Sequence, residues 1–227
     1  MYLTYKAKII TAKEKKVSCW FRQNFRNWLS KPTKKEILSN LCFSATKLYN
    51  TVNYYLRQDW ESQRALVDYL DSIGYPNVGV KLDLNRTKLQ NRFKENLWAT
   101  NLHSQSAQFV IGEVISAYKS WFALRKNGHD ASPPSFRRKS QLSPVTFIQT
   151  SYKMFFGVPR SRNGTCKDKT YLRLSLGSKR EDGIKEITLQ ITHRKTLPLG
   201  TLKNVKITYD TVTGNYYAHL VIDVPQK

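Results

Sequence analysis

Apolar residues recur at every third or fourth position along a long stretch of the chain that begins at residue 37. Just before it, Thr33 and Glu36 have the spacing of a capping box and follow Pro32, which predicts the start of a helix. The recurring apolar residues predict the buried face of one long amphipathic helix. They are Ile37, Leu41, Ala45, Leu48, Val52 and Leu56. Residues 61–70 either continue this helix or form a short second one.

Two further helices are predicted before residue 130. Leu89, Phe93 and Leu97 are spaced four apart and indicate one of them. The other begins at Ser104 and ends at Asn127-Gly128, because glycine commonly follows the last turn of a helix. Its predicted apolar face consists of Ala107, Val110, Val114, Ala117, Trp121 and Leu124.

Alternating or β-branched residues predict strands at the start of the chain and again after Pro133-Pro134. The predicted strands are Tyr2–Ile10, Val145–Gln149, Tyr171–Leu176, Ile187–Thr192, Val205–Asp210 and Tyr216–Val224. The last two flank a short loop that contains Gly214 and Asn215, which is typical of a hairpin.

The element order is therefore one strand, a block of helices and about five strands. A lone N-terminal strand pairs poorly by itself, so we expect it to join the later strands. We predict an α+β fold in which a small antiparallel β-barrel or sheet contains the first strand and a helical domain is inserted after it. The predicted boundaries are 1–31 for the first strand and a basic connector, 32–130 for the helical domain and 131–227 for the later strands. Residues 157–170, rich in Gly, Arg, Asn and Lys, are predicted to form a mobile loop.

Composition excludes several classes of protein. Hydrophobic residues at 40% and aromatic residues at 12% are too abundant for a disordered basic tail. No stretch approaches 18 consecutive apolar residues, and the first residues lack the apolar core of a signal peptide. Three cysteines, far apart, argue against a disulfide framework. We expect a folded cytoplasmic protein without a membrane partner.

The charge of the chain is strongly positive and unevenly distributed. Lys and Arg number 38 against 16 Asp and Glu, a formal net charge of +22. Residues 1–60 hold 12 basic and 3 acidic side chains, and residues 131–180 hold 11 and 1, whereas the other segments are nearly balanced. Two basic blocks that flank a balanced scaffold indicate a charged groove for a polyanion, of which nucleic acid is the commonest.

Spacing of the acidic, histidine and cysteine residues indicates no complete active site. Asp59, Glu61, Asp68 and Asp71 lie on a predicted helix among polar neighbours, as on a solvated helix face. Asp223 ends an apolar strand, but one carboxylate cannot hold two metal ions. The histidines and cysteines lack metal-ligand spacing, and no glycine-rich phosphate loop is present. We therefore predict no catalytic residue, metal or cofactor on this chain.

Candidate nucleic-acid contacts occur where basic and aromatic residues are interleaved. Basic side chains after the double proline are suited to neutralising phosphates. They are Arg137, Arg138, Lys139, Lys153, Arg160 and Arg162. On the long predicted helix, Tyr49 and Asn50 offer an aromatic ring and an amide that either contact nucleic acid or pack at the edge of the core.

Four features follow one another along the chain. They are a helix with Leu48-Tyr49-Asn50, a helix from Ser106-Ala107-Gln108 to Ala117-Tyr118-Lys119-Ser120-Trp121-Phe122, the element Pro134-Ser135-Phe136-Arg137-Arg138-Lys139, and the hairpin from Val205 to Ala218. Their order and spacing resemble the N-terminal half of TnpB, the OrfB-type transposon proteins that act as RNA-guided DNA endonucleases and are related to type V CRISPR effectors. In that family the second and third features read roughly as AYKNFF and PRFKKK.

The resemblance implies a wedge domain, which is an OB-like β-barrel, interrupted by a helical recognition domain. It implies that the chain grips a guide RNA and the guide–target heteroduplex and contacts a short motif beside the DNA target. Gln108 falls at the family's motif-reading glutamine, whose amide suits adenine, and Arg86 falls near a neighbouring contact. Lys119 belongs to the AYKNFF-like motif and joins the nucleic-acid-binding candidates. Ser104 stands where some relatives have lysine, which leaves the recognised motif open.

The sequence also departs from the family in its domains. In the family a RuvC-like nuclease domain and a zinc ribbon follow the last of these strands, and neither is present here. We therefore expect the chain to bind guide RNA and target DNA without cutting DNA by itself, with magnesium confined to the nuclease domain. Two alternatives remain: half of a split enzyme that works with a separate RuvC chain, and an unrelated basic protein that packs against ribosomal RNA.

Overall fold

The computed structural model describes residues 2–11, 32–75, 79–148, 150–156, 170–180, 182–192 and 200–224. These residues form strands and helices in separate blocks, so the predicted α+β class is confirmed. In chain order the elements are β1 (Tyr2–Ile10), α1 (Lys34–Ser72), α2 (Arg86–Phe93), α3 (Leu97–Thr100), α4 (Ser104–Lys126), β2 (Val145–Ile148), β3 (Tyr152–Phe156), β4 (Thr170–Ser175), β5 (Glu186–Thr192), β6 (Thr201–Asp210) and β7 (Asn215–Asp223).

The seven strands form one antiparallel sheet in the order β2-β6-β7-β1-β5-β4-β3. β1 lies at its centre, where it pairs with β7 from Tyr2 to Lys8 and with β5 from Lys8 to Ile10. The first strand therefore joins the later ones, as predicted. β6 and β7 form the predicted hairpin, whose turn ends at Gly214 with a φ of 64°.

The sheet is strongly curled. β2 and β3 lie at opposite edges, yet residues 149–151 alone separate them in the chain. A flat sheet would place these edges about 29 Å apart, whereas four residue steps span at most about 14 Å. Across the curl, the Tyr152 hydroxyl in β3 donates to the Leu202 carbonyl in β6. No ladder joins β2 to β3 among the residues described, so the sheet is not closed.

β3 was not predicted from the sequence. Its five residues, Tyr-Lys-Met-Phe-Phe, have one polar position among four apolar ones, which conceals the alternation of a strand. Pairing with β4 makes the segment a strand, in a register from Tyr152↔Leu174 to Phe156↔Thr170. The predicted mobile loop, residues 157–170, falls almost wholly outside the described residues, and Thr170 is the first residue of β4.

The capping box of α1 is confirmed. The Glu36 backbone N–H donates to Thr33 Oγ1 at 3.2 Å, and the Thr33 backbone N–H donates to Glu36 Oε2 at 2.7 Å. The six predicted apolar positions are all buried. The helix continues through residues 61–70 to Ser72, which makes one rod about 58 Å long.

The predicted helix through Leu89, Phe93 and Leu97 is in fact two helices. α2 ends at Phe93, and α3 begins at Leu97 after Asn96, whose side chain accepts from the Trp98 backbone N–H at 3.0 Å. Asn96 caps α3, so a new helix begins there even though the apolar residues keep their spacing of four. Leu97 is exposed, whereas Leu89 and Phe93 are buried.

α4 begins at Ser104, as predicted, and packs against α1 and β2. It ends at Lys126, before the Asn127-Gly128 pair that was predicted to stop it; Gly128 has a φ of 80°, and the His129 backbone N–H donates to the Leu124 carbonyl at 3.1 Å. Most of its predicted apolar face is buried, but Ala117 is half-buried and Leu124 is exposed.

The β4–β5 connection joins the sheet to the helices. A Cβ on Gly177 would lie 2.1 Å from the Thr100 carbonyl oxygen, so only glycine allows this close approach. Beside it, buried Arg180 forms an ion pair with Asp182 and donates to the Asn101 carbonyl at 2.8 Å. No helix in the described part of the chain is long and apolar enough to cross a membrane.

Candidate nucleic-acid interface

Residues 134–143, which we call the crossing segment, have no helix or strand and lie across α1. The Asn50 Nδ2 donates to the Arg137 carbonyl at 2.9 Å, and the Asn50 Oδ1 accepts from the Arg137 backbone N–H at 2.8 Å. This pair of bonds is the one that a neighbouring strand would offer to the Arg137 backbone. Asn50 therefore positions the part of the segment that carries Arg137, Arg138 and Lys139.

Asn53, one turn further along α1, holds the start of the crossing segment and is fully buried. Its Nδ2 donates to the carbonyl oxygens of Pro134 at 3.1 Å and Ser135 at 3.3 Å. Its Oδ1 accepts from the Tyr118 hydroxyl at 2.9 Å. Burial raises the pKa of Tyr118 to about 12, so the hydroxyl keeps its proton and remains a donor. Both polar atoms of the Asn53 side chain have partners, as burial demands.

Two more α1 side chains complete this contact. Arg57 Nη2 donates to the Pro134 carbonyl at 3.1 Å, and the Arg57 guanidinium lies 5.0 Å from the centre of the Phe136 ring. At the other end, Thr46 Oγ1 accepts from the Ser143 backbone N–H at 3.1 Å. These residues and the two asparagines are spaced four, three and four apart, along one ridge of the helix. Their partners lie 77 to 97 residues away in the chain. Sequence spacing alone therefore did not reveal that these α1 side chains hold the crossing segment.

Three of the predicted site residues meet in one groove, with a volume of about 540 Å³, which we call the α4 groove. They are Tyr49 on α1, Arg86 at the start of α2 and Arg137 in the crossing segment. The other lining residues are Phe109, Gly112, Glu113, Ser116 and Ala117, all on α4. The Arg86 guanidinium lies 3.8 Å from the position that a Cβ on Gly112 would occupy, so glycine leaves it room against the helix.

A stacked arginine forms one wall of the α4 groove. The Arg137 guanidinium carbon lies 3.8 Å from the centre of the Tyr49 ring, and Arg137 Nη2 pairs with Glu113 Oε2 at 2.8 Å. Tyr49 is buried, which raises its pKa, although the nearby Arg137 cation acts in the opposite direction. Arg137 Nη1 is buried without a hydrogen-bond partner in the described part of the chain. Tyr49 and Glu113 thus fix the orientation of the guanidinium in the wall of the groove.

The exposed face of α4 continues the groove. Gln108 and Lys119 are exposed, and with Gly112 and Ser116 they follow steps of four, four and three along the helix. Gln108 and Lys119 are therefore about 16 Å apart along one face. Glu113 is the sole acidic residue in α4, and Arg137 neutralises it. The face thus offers one amide and one cation, Gln108 and Lys119, with little competing negative charge.

The remaining predicted residues lie away from this groove or outside the described residues. Arg138 and Lys139 are exposed and directly follow Arg137. Lys153 is exposed on β3, opposite Arg173 of β4. Arg160 and Arg162 lie outside the described residues.

No group of three or more His, Cys, Asp or Glu side chains that could hold a metal ion occurs in the described ranges. Asp223 Oδ2 lies 3.4 Å from Lys203 Nζ. Cys42 is buried in the core, and burial raises the pKa of its thiol to about 12. The His103 ring accepts from the Gln105 backbone N–H at 3.3 Å and caps α4.

Comparison of the chain with protein-family models gave no match, and comparison with curated proteins gave none. The resemblance to the TnpB family therefore stays a prediction.

Proposed function

We propose that this chain is the nucleic-acid-binding lobe of a TnpB-like RNA-guided DNA endonuclease. It holds the guide RNA and the guide–target heteroduplex, and it contacts the motif that flanks the DNA target. In this proposal the curled sheet is the OB-like wedge domain, and α1–α4 are the recognition domain inserted after its first strand. We assign a nucleic-acid-binding role, and no catalytic role, to the residues of both domains.

The observation that carries the proposal is the α4 groove. It gathers Tyr49, Arg86 and Arg137 from three separate parts of the chain, and Gln108 and Lys119 extend it along the same helix. The Arg137 guanidinium, fixed by the Tyr49 ring, neutralises the Glu113 carboxylate, which leaves the exposed cations beside the groove free to attract phosphate. The net charge of +22 supplies the attraction for a polyanion.

The contacts of α1 divide the predicted residues into two roles. Asn50 has both amide atoms bonded to the Arg137 backbone, and Tyr49 lies beneath the Arg137 guanidinium. We propose that these two residues act by positioning Arg137. Direct contacts then fall to the exposed residues Arg86, Gln108 and Lys119, together with Arg138 and Lys139 of the crossing segment.

The split-enzyme alternative predicts exposed apolar residues on the last hairpin. Val212 is the one large hydrophobic residue that is exposed among the described residues of β6, β7 and their turn, and it lies in the turn. A single apolar residue in a turn is ordinary at a protein surface. The split-enzyme and ribosomal-RNA alternatives stay predictions.

The first experiment compares binding of two RNAs of equal length to the purified chain. One is the RNA that copurifies with the chain, sequenced and resynthesised, and the other has a shuffled sequence. We expect tighter binding of the copurifying RNA, because a guide scaffold is recognised by its fold as well as its charge. Equal affinity and equal salt dependence for both RNAs would contradict the guide-RNA role and favour general basic binding.

The second experiment tests the role of Gln108 in reading DNA. With guide RNA bound, Gln108→Ala is expected to reduce discrimination among flanking base pairs by about 1–3 kcal/mol, because an amide pairs with adenine through two hydrogen bonds. Affinity for RNA alone should not change. Ser120→Ala, an exposed change on the same helix, is the control. The measurement is binding to a duplex library randomised beside a guide-matched site, and an unaltered base preference would remove Gln108 from the proposal.

A further inference from the structure

The outward face of β6, β7 and β1 carries a row of basic side chains that is separate from the α4 groove. Lys206 pairs with His219, and His219 pairs with Lys6, in the registers of the two ladders. Because neighbouring strands are about 4.8 Å apart, the row spans about 10 Å. Lys8 follows Lys6 by two residues on the same face, opposite Tyr217.

The lysines of this row form no ion pair with the described residues, although a hydrogen bond from Thr213 and, to a smaller extent, the charge of Lys6 help to lower the pKa of the Asp210 carboxyl. Lys6, Lys8 and Lys206 are exposed, and none of them takes part in an ion pair within the described residues. The acidic residues of this face stand at its two ends. Asp210 accepts from the Val212 backbone N–H at 3.0 Å in the hairpin turn, and Asp223 lies 3.4 Å from Lys203. The centre of the face is therefore cationic.

Two contacts fix the groups at the centre of the row. The Lys6 ammonium lies 4.1 Å from the centre of the Tyr217 ring, close enough to His219 that, besides burial, its charge lowers the pKa of the imidazole. His219 Nε2 lies 2.9 Å from Thr208 Oγ1. The groups that face the imidazole are thus Lys6 and Lys8 from β1, Lys206 and Thr208 from β6, and Tyr217 on its own strand, with Asp210 beyond them.

The electrostatics of His219 depend on what occupies the row. Burial lowers its pKa, and the positive charges of Lys6 and Lys206 lower it further. The imidazole is therefore neutral at neutral pH in the free protein. A phosphate between the two lysines would reverse their effect, because a negative charge nearby favours the imidazolium form.

We propose that the Lys206–His219–Lys6 row binds a backbone phosphate of single-stranded RNA and that His219 takes up one proton from solvent when it binds. The neutral imidazole becomes an imidazolium and adds a third cation to the row. Single strands fit an open sheet face whose cations can follow the phosphate backbone. The neighbouring Thr4, Thr208 and Asn204 offer hydroxyl and amide groups to the ribose 2′-hydroxyl, which favours RNA over DNA.

This inference rests on the proposed nucleic-acid binding and adds a second surface, with a dependence on pH. The test measures fluorescence anisotropy of a labelled oligouridylate of roughly 16 nucleotides, a length that one such sheet can cover. Titrations of the full chain at several pH values between about 5.5 and 8 bracket the titration of histidine. The probe has no secondary structure, so guide-scaffold recognition does not contribute.

We expect affinity to rise as the pH falls, towards a limit of about tenfold per pH unit, because one proton is taken up. His219→Gln should bind weakly and lose this pH dependence. His219→Lys should bind tightly without pH dependence, which a purely structural histidine would not produce. His129→Gln, an exposed change beyond α4, should behave as wild type. Lys6→Gln and Lys206→Gln should each lower the salt slope by about 0.7, whereas Lys126→Gln should not.

The outcomes separate this inference from the proposed function. If the wild type binds oligouridylate with the same pH dependence as His219→Gln, the proton-linked site is refuted while RNA binding stands. If Lys6→Gln and Lys206→Gln leave affinity unchanged, the row is not the phosphate site. Equal affinity for oligodeoxyuridylate would overturn the assignment to RNA. No binding of any RNA by the folded wild type would overturn the inference and the proposed function together.

Discussion

Asn53→Ala is expected to destabilise the protein more than any exposed polar substitution on α1. The change removes an amide that bonds three groups: the carbonyls of Pro134 and Ser135 and the hydroxyl of Tyr118. The Asn53 side chain is fully buried, and the Tyr118 hydroxyl that it bonds is buried with it. Each of the three lost hydrogen bonds contributes about 1 kcal/mol to stability, which gives a loss of about 3 kcal/mol. The Pro134 carbonyl keeps Arg57 Nη2 as a donor, and the Tyr118 hydroxyl keeps the Asn53 backbone carbonyl at 3.3 Å, so no larger cost is expected from these two groups.

Thermal unfolding followed by circular dichroism measures this loss. For a chain of this size 1 kcal/mol corresponds to about 2–4 °C, so Asn53→Ala should lower the Tm by about 6–12 °C. Gln58→Ala is the matched control, since Gln58 is exposed on the same helix and bonds the Tyr54 hydroxyl at 2.6 Å. Its Tm should stay within about 2 °C of the wild type, because exposed polar contacts contribute little.

A Tm for Asn53→Ala as close to the wild type as that of Gln58→Ala would refute the reasoning. It would mean that the crossing segment is not held by α1 in solution. The positions of Arg137–Lys139, which follow from that contact, would then have no structural basis.

Three further predictions concern other parts of the molecule. Gly177→Ala should lower the midpoint of urea unfolding, because its Cβ would lie 2.1 Å from the Thr100 carbonyl oxygen, whereas Gly79→Ala meets nothing within 4 Å and should leave the midpoint unchanged. Arg138→Ala should weaken RNA binding and lower its salt slope by about 0.7, measured by anisotropy at several salt concentrations, and an unchanged slope would exclude a phosphate contact. With the other two cysteines replaced by serine, Cys42 should resist a thiol reagent at pH about 8 until urea unfolds the chain, because burial raises its pKa to about 12.

Local signals in the sequence predicted the helices well. The capping box at Thr33 and Glu36 and the glycine that follows α4 are contacts between residues close in the chain, so their spacing is visible in the sequence. The break between α2 and α3 was missed because Asn96 acts through its side chain, which the apolar spacing of Leu89, Phe93 and Leu97 does not reveal.

The sequence predicted most strands of the sheet, but it did not predict the order in which the strands pair. β3 and the curl of the sheet depend on pairings between distant segments, such as β3 with β4 and β2 with β6. A short segment with four apolar residues among five has no alternation to identify it. Strand order is a tertiary property, so a single sequence carries little information about it.

The candidate site shows the same division between local and distant contacts. Composition indicated a polyanion, and the basic cluster at Arg137–Lys139 could be found by inspection. The partner of Asn50 could not be found from the sequence, because it lies 87 residues away in the crossing segment. An asparagine beside a tyrosine on a helix has the same sequence pattern whether it contacts a base or another part of its own chain.

In the proposed function, charge predicts that a polyanion binds, and the fixed neighbours of each charge predict the place where it binds. Arg137 is held by Tyr49 and Glu113, and the ammonium of Lys6 is held over Tyr217, so both cations are positioned before any ligand arrives. A cation that is already positioned loses less side-chain entropy on binding than a free one. These two places, the α4 groove and the outward face of β1, β6 and β7, are accordingly where substitutions should change affinity by more than the removal of one charge.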